Sequence, residues 1–261
     1  MEVIIRPDTD AAAGLTASII ADTIRAKPDL VLGLATGRTM ERLYARLAQT
    51  HEEEDLSFAQ VHTFNLDEYI GLAPEDKHSY RHYMNEHLFN KVDIDPANTH
   101  LPNGIADNID EECALYEQRI TNAGGIDLQI LGIGNTGHIG FNEPLSAMFS
   151  RTRAKALTPR TVEQNAPLFD NPEDMPRRAI TMGVGTILDA KRCIMLATGK
   201  TKSEIIAKAV EGPVTSMISA TALQLHAKAT VIIDEPASAS LQQNEYYQWL
   251  FDNEPEWEPY R

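Results

Sequence analysis

Short aliphatic segments alternate with longer amphipathic segments along almost the whole chain. The short ones consist mainly of Val, Ile and Leu without polar alternation, a pattern typical of strands buried on both faces. They predict strands at residues 3–5, 30–34, 61–64, 127–133, 180–184, 193–197 and 230–233. The amphipathic segments predict helices at residues 11–26, 40–50, 80–89, 109–123, 201–211, 215–225 and 239–251.

This alternation predicts an α/β fold: a three-layer open sheet, mostly parallel, with helices on both faces, as in Rossmann-like proteins. No linker rich in Pro, Gly or Ser interrupts the pattern, so we expect residues 1–261 to form a single domain. The least regular stretch is 158–178, with prolines at 159, 167, 172 and 176. We expect an unstructured lid there, although a mobile surface loop explains the composition equally well.

Composition indicates which classes of partner to exclude and in which cellular compartment to expect the protein. The chain has 23 Lys and Arg against 38 Asp and Glu, a formal net charge of −15. This balance argues against nucleic acid and acidic membranes as partners, since both attract clustered positive charge. The chain shows neither a signal-peptide pattern nor an apolar run long enough to span a bilayer. We therefore expect a cytoplasmic protein whose two cysteines, Cys113 and Cys193, are buried reduced thiols.

We look for functional residues directly after each predicted strand, because ligands of parallel sheets bind beyond the carboxyl ends of the strands. The strand at 30–34 leads into Thr36, Gly37, Arg38 and Thr39 and then into a helix. A glycine and the free N–H groups of a helix N-terminus suit a phosphate. The spacing is not that of a nucleotide-binding loop, and a threonine that merely caps the helix is at least as good an explanation.

Two further segments carry acidic and basic groups. Asp67 and Glu68 follow the strand at 61–64, and adjacent carboxylates point in different directions, so at most one of them faces a pocket. Taken as an isolated pair, such carboxylates are more often structural. Lys202 follows the strand at 193–197 and could neutralise an anionic substrate, although an exposed basic residue at a helix start is an equally good interpretation.

The segment from Gly132 to Pro144 places His138 among glycines, which provide no packing for a core histidine. Imidazole titrates near neutrality, so His138 could exchange protons, and Glu143 could accept its second N–H and fix the tautomer. One histidine without a second nitrogen or thiolate nearby makes a poor zinc site. We therefore expect no metal.

These segments together resemble the glucosamine-6-phosphate deaminase family over nearly the whole chain. The matching segments are residues 36–39, 64–72, 132–144, 150–153, 183–186, 211–212 and 223–226. The resemblance implies conversion of glucosamine 6-phosphate and water to fructose 6-phosphate and ammonia, without metal or organic cofactor. It also implies that Asp67 moves a proton between C2 and C1, that His138 assists ring opening with Glu143 as its partner, and that residues 37–39, Gly132 and Lys202 bind the substrate.

Three positions depart from the family pattern. Thr136 stands where the family commonly has an aspartate, so stabilisation of a charged imidazole would depend more on Glu143. Pro167 stands at the lid arginine that grips the phosphate, which leaves Arg38, Arg160, Arg177 and Arg178 as candidate replacements. Of the allosteric-site residues of regulated members, Ser146, Arg153 and Lys155 match but Ala156 does not, so the resemblance does not carry activation by N-acetylglucosamine 6-phosphate to this chain.

Other functions remain open at this stage. A 6-phosphogluconolactonase shares the fold, and a different amino-sugar phosphate could be the substrate. A non-catalytic sugar-phosphate sensor would usually need an added DNA-binding helix-turn-helix, and no such basic segment occurs. Family members are commonly trimers or hexamers, so the resemblance also implies a homo-oligomer.

Overall fold

Ten strands and nine α-helices are present in the computed structural model, which describes all of residues 1–261. The strands are β1 (Glu2–Arg6), β2 (Val31–Leu34), β3 (His62–Asn65), β4 (Asp67–Tyr69), β5 (Thr99–His100), β6 (Leu128–Leu131), β7 (Arg153–Ala156), β8 (Arg178–Thr181), β9 (Arg192–Ala197) and β10 (Ala229–Asp234). The helices are α1 (Thr9–Ala26), α2 (Arg38–Glu54), α3 (Tyr80–His87), α4 (Ile109–Asn122), α5 (Pro159–Asn165), α6 (Val184–Leu188), α7 (Ser203–Val210), α8 (Glu235–Ser238) and α9 (Asn244–Asn253).

Seven strands form one parallel sheet in the order β1-β10-β9-β6-β2-β3-β5. Every residue of β2, β6 and β10 is buried, so helices cover the sheet on both faces. The prediction of a single-domain, mostly parallel three-layer sheet is thereby confirmed. No helix is long and apolar enough to cross a membrane.

Helix starts follow from local sequence. Asp8, Ser79 and Asn108 each accept a backbone N–H with the side chain and so cap α1, α3 and α4. The N-cap of α2 is Gly37, and no side chain caps this helix. The alternative of a threonine cap on α2 is therefore wrong, and the N-terminus of α2 stays open toward the strand ends.

The predicted strand at 180–184 is placed wrongly. Residues 178–181 form β8, which pairs antiparallel with β4 and β7 in a separate three-stranded sheet, and Val184 begins α6. The apolar residues of this segment correctly predicted a buried strand, since Ile180 is fully buried. A buried apolar run does not specify which strand it pairs with. The seventh strand of the central sheet is instead β5, a two-residue edge strand without an apolar run.

The lid, residues 158–178, is more regular than expected. It contains α5 and two 3₁₀ turns, at Ala166–Leu168 and Pro172–Asp174, and ends in β8. Pro159, Pro167 and Pro172 occupy the first turns of these elements. Proline is favoured there because its fixed φ suits a helix and its missing N–H would have no partner. The prolines thus start short helices, and the expectation of an unstructured insertion is wrong.

The predicted helix at 215–225 is also different. Only Ser219–Leu225 is helical, as a 3₁₀ helix, and it follows a turn. The hydroxyl of Thr221 accepts from the N–H of Thr215 and donates to backbone carbonyls in the same turn. Such bonds compete with an α-helical hydrogen-bond ladder.

Strand order places the candidate residues together. After β2 the chain continues on one side of the sheet, to β3 and β5, and after β6 it continues on the other side, to β9 and β10. A crevice forms where the chain changes sides in an open parallel sheet. The segments that follow β9, β6, β2 and β3 border this crevice.

Candidate active site

A cleft of about 600 Å³ lies beyond these four strand ends. It brings together eight of the ten residues predicted from the sequence: Thr36, Gly37, Arg38, Thr39, Asp67, Gly132, His138 and Lys202. The other two, Thr136 and Glu143, lie outside the wall and contact His138 from behind. The structure therefore assembles all the predicted residues around one cavity.

Asp67 and Glu68 diverge, as adjacent carboxylates on a short strand must. Glu68 turns away from the cleft and accepts the N–H groups of Tyr69, Tyr80 and Arg81, at the start of α3. Asp67 faces the cleft, is 7% exposed and accepts no hydrogen bond from the protein. Asp67 is therefore the carboxylate that is free to react.

The environment of Asp67 makes it a stronger base than an ordinary aspartate. Burial and the charge of Glu68 raise its pKa to about 8. A carboxylate without hydrogen-bond donors or a cationic partner retains this basicity for a substrate proton. The arrangement suits proton abstraction from carbon.

His138 is oriented by two oxygens on one side of its ring. Its Nδ1 lies 2.7 Å from Oγ1 of Thr136 and 3.3 Å from Oε2 of Glu143. With a proton on Nδ1, both oxygens can accept it, and Nε2 has no partner in the protein. Gly134 is required by this ring, because a Cβ at position 134 would overlap Nε2 of His138.

Glu143 remains ionised in its buried position. Burial by itself would raise its pKa, but the neighbouring imidazole of His138 and the hydrogen bonds from Thr161 and Thr158 outweigh burial and lower the pKa to about 2. Its Oε1 accepts from the N–H and the hydroxyl of Thr158, each at 3.2 Å, and from the hydroxyl of Thr161. Its Oε2 is buried without a hydrogen bond of good geometry and faces Nδ1 of His138.

The N-terminus of α2 provides donors for an anion. Met40 donates to Gly37, but the N–H groups of Arg38 and Thr39 have no acceptor in the protein. Gly37 has φ of +114°, a conformation that side chains disfavour. Free N–H groups and the positive end of a 17-residue helix favour a phosphate at this wall.

Two cationic side chains reinforce this wall. Nζ of Lys202 donates to the carbonyl of Ile133 and to Oδ1 of Asn135, so α7 and the loop after β6 hold it in place. Burial lowers the pKa of Lys202. Arg38 lies on the cleft wall without an ion-pair partner.

The lid arginines do not reach the cleft. Arg177 pairs with Glu173 at 3.6 Å, and neither Arg160, Arg177 nor Arg178 is among the lining residues. Of the four arginines considered as replacements for the missing lid arginine, only Arg38 is at the site.

Several lining residues carried no strong sequence signal. Tyr69 and Tyr80 form one wall with ring centroids 5.0 Å apart, and Asn165 of α5 donates to the Tyr69 hydroxyl at 3.1 Å. Lys77 and His78 contact the lid through an ion pair with Asp170 and a stacked ring of Phe169, respectively. Only Tyr69 lay within a recognised motif, since the others depend on where the lid packs.

Other residues singled out in the sequence lie outside the cleft. Arg153 donates to Ser146 at 3.1 Å and to Asn142 at 2.9 Å, while Lys155 lies on the neighbouring part of β7. Cys113 and Cys193 are both free and buried, so the prediction of buried thiols is confirmed. No group of three or more His, Cys, Asp or Glu side chains is arranged to hold a metal ion.

Comparison with known proteins adds the family. The family model described as glucosamine-6-phosphate isomerases/6-phosphogluconolactonase matches residues 8–232. The chain belongs to this family. Among curated members, a glucosamine-6-phosphate deaminase of Hahella chejuensis is 50% identical over 250 residues, 96% of this chain and 95% of that protein. One of Arthrobacter sp. is 45% identical over 258 residues, 99% of each chain.

Solved structures of this family agree in fold. A structure described as a monomeric glucosamine-6-phosphate deaminase has a TM-score of 0.90 and 44% identity, covering 92% of this chain and all (100%) of that one. A 6-phosphogluconolactonase from Trypanosoma cruzi has a TM-score of 0.74 and 20% identity, covering 92% of this chain and 97% of that one. The lactonase shares the fold only.

Proposed function

We propose that this protein is a glucosamine-6-phosphate deaminase, which converts glucosamine 6-phosphate and water to fructose 6-phosphate and ammonia. The observation that carries the proposal is the pairing, in one cleft, of an unpartnered basic carboxylate, Asp67, with a histidine fixed from behind, His138. The curated relatives named as deaminases, at 45–50% identity over nearly the whole chain, support the same substrate.

The first step is opening of the sugar ring. A closed hexose cannot enolise, so a proton must move from the anomeric hydroxyl to the ring oxygen. His138 performs this transfer through Nε2, since Nδ1 faces Thr136 and Glu143. Glu143 stabilises the imidazolium that forms when Nε2 takes up the proton.

The second step is isomerisation. Asp67 removes the C2 proton from the open-chain aldehyde while O1 takes up a proton, giving an enolamine. The protonated Asp67 then returns its proton to C1 while the amine gives one up, giving a ketimine. Water adds to C2 of the ketimine, and ammonia leaves with the C–N electron pair, which completes hydrolysis of the C–N bond. One carboxylate serves both proton transfers because C1 and C2 are neighbours.

The phosphate occupies the wall formed by the N-terminus of α2. The free N–H groups of Arg38 and Thr39 donate to it, and Lys202 and the guanidinium of Arg38 neutralise it. Thr36, Gly37 and Gly132 complete this wall. Arg38 thus takes the part of the lid arginine that is replaced by Pro167.

Product analysis tests the proposal. Purified protein is incubated with millimolar glucosamine 6-phosphate, and ammonia and fructose 6-phosphate are measured together, with galactosamine 6-phosphate and 6-phosphogluconolactone as competing substrates. Equal amounts of the two products support the proposal. Lactone hydrolysis without ammonia release would assign a lactonase instead, and binding without turnover would assign a sensor.

We also propose a cytoplasmic location, where phosphorylated sugars are retained, and association into a trimer or hexamer. Leu145 and Phe149 are strongly exposed apolar side chains, at 74% and 90%, beside the loop that contains Met217. Light scattering on the purified protein measures its mass in solution. A mass three or six times that of one chain supports the assembly, and the mass of one chain, as in the monomeric relative, overturns it.

A further inference from the structure

One carboxylate joins the lid to the histidine of the site. Glu143 is 1% exposed, and its Oε1 accepts from the N–H and the hydroxyl of Thr158 and from the hydroxyl of Thr161. All three donors belong to the start of α5, the helix of the lid. On the opposite side of the same carboxylate, Oε2 faces Nδ1 of His138 at 3.3 Å.

The two oxygens of Glu143 therefore have separate partners. A carboxylate rotates readily about its last bond and would exchange its oxygens if nothing held one of them. The donors from α5 fix Oε1, so that Oε2 remains directed at the imidazole. Thr161 is 2% exposed and does not line the cleft, so it does not touch the substrate itself.

We infer that Thr161 is a positioning residue for ring opening: its hydroxyl holds Glu143 so that Oε2 faces Nδ1 of His138. The inference rests on the proposed function for the reaction step, whereas the contact itself does not. It makes closure of the lid a condition for a correctly oriented histidine, because Glu143 loses all three donors to Oε1 when α5 moves away.

A purely structural role for Thr161 makes a different prediction. Gln164 and Asn165 of α5 line the cleft, and Asn165 donates to the hydroxyl of Tyr69. If Thr161 only anchored the lid, its loss would disturb these substrate-facing groups and raise KM. If it acts through Glu143 on a chemical step, kcat falls while KM stays the same.

Three variants separate these roles. Thr161→Val removes the hydroxyl at nearly constant volume, and Thr161→Ser keeps it. Thr16→Val is the matched control, since Thr16 is equally buried but donates to the carbonyl of Ala12 within α1, away from the cleft. Thr158 is less suitable, because its side chain also caps α5.

We expect Thr161→Val to lower kcat about tenfold, the size of one lost hydrogen bond to a charged group, with KM within about twofold. Thr161→Ser and Thr16→Val should keep kcat near the wild-type value. Wild-type kcat in Thr161→Val, a rise in KM as large as the fall in kcat, or equal impairment in Thr161→Ser would overturn the inference.

A measurement without substrate keeps the inference separate from the proposed function. The ring ¹⁵N signals of His138 in the free protein should change in Thr161→Val and remain as wild type in Thr161→Ser. Unchanged ring signals in Thr161→Val would overturn the inference even in an active enzyme. An inactive wild-type protein whose ring signals respond as expected would contradict the proposed function but leave the positioning contact supported.

Discussion

At the scale of single residues, Asp67 combines two unusual properties. It is buried, and it has no hydrogen-bond donor or cation to stabilise its charge. Such a group destabilises the folded protein in its ionised form, and strain of this kind is typical of functional positions. The same feature gives the carboxylate its basicity.

Asp67→Asn should therefore remove activity and increase stability. We expect turnover to fall by about 10² to 10⁴, the usual contribution of a general base. Because the folded pKa is about 8 and the ordinary value is 3.8, the unfolded chain releases this proton at lower pH. The contribution of Asp67 to stability therefore declines as pH rises from about 4 to 8.

Thermal unfolding at two pH values tests whether the stability contributed by Asp67 falls as pH rises. The melting temperature of Asp67→Asn should exceed that of wild type at pH 8, and the difference should shrink at pH 4. A variant that is less stable than wild type at pH 8 would contradict the raised pKa. Near-normal turnover would reject the role of Asp67 as the base.

Lys202 and Arg38 are cations on the cleft wall at which we propose that the phosphate binds, so each should matter for binding. Lys202→Ala and Arg38→Ala should each raise KM more than they lower kcat, because the phosphate is held equally in ground and transition states. Arg160→Ala is the control, since Arg160 does not line the cleft. Steady-state kinetics measures all three, and an unchanged KM in Arg38→Ala would show that its guanidinium does not reach the phosphate.

At the scale of elements, the lid is anchored at its start and at its middle. Its start contacts Glu143, and its middle carries Phe169, which stacks on His78 at 4.6 Å and meets the edge of Tyr69 at 5.8 Å. A small apolar cluster that includes Phe141 and Val162 fills the space beneath it. This cluster is separate from the main core and shares with it only the contact of Tyr80.

Phe169→Leu should loosen the lid without unfolding the molecule. Loss of two aromatic contacts, each worth about 1 kcal/mol, should increase local opening roughly five- to thirtyfold. Trypsin cleavage after Arg177 or Arg178 under native conditions should accelerate accordingly. Tyr246→Leu is the control because Tyr246 is an exposed aromatic side chain on α9, outside the lid, and equal acceleration in both variants would show that the contacts of Phe169 do not hold the lid.

At the scale of the whole molecule, the net charge of −15 opposes an anionic substrate. The field of distant charges extends about 30 Å at 0.01 M salt but only about 8 Å at 0.15 M. The positive groups of the cleft act at contact, where screening is weaker. Long-range repulsion and local attraction therefore respond differently to salt.

We expect kcat/KM to rise about two- to threefold as salt increases from 0.01 to 0.15 M, because the repulsion is screened first. The measurement is the initial rate at low substrate over this range, with an inert salt such as potassium chloride. A steady fall in kcat/KM from the lowest salt would show that attraction by the cleft dominates at all distances.

The sequence by itself determined much of this protein. Apolar runs marked six of the seven central strands, since burial on both faces leaves a local signature. Glycines around His138 marked the chemistry, because they provide no packing for a core histidine, whereas Asp67 received its role only from the resemblance of its motif. The function of a residue can be predicted from the sequence when it depends on residues that are adjacent along the chain.

Only the tertiary structure decided which distant residues meet. It placed Arg38 rather than the lid arginines on the wall of the cleft, and it placed β8 in the second sheet. It also joined Thr161 to Glu143, 18 residues apart. These outcomes depend on the order of the strands and on the packing of the lid. Both arise from contacts between segments that are remote in sequence, so neither produces a periodic pattern of residues along the chain.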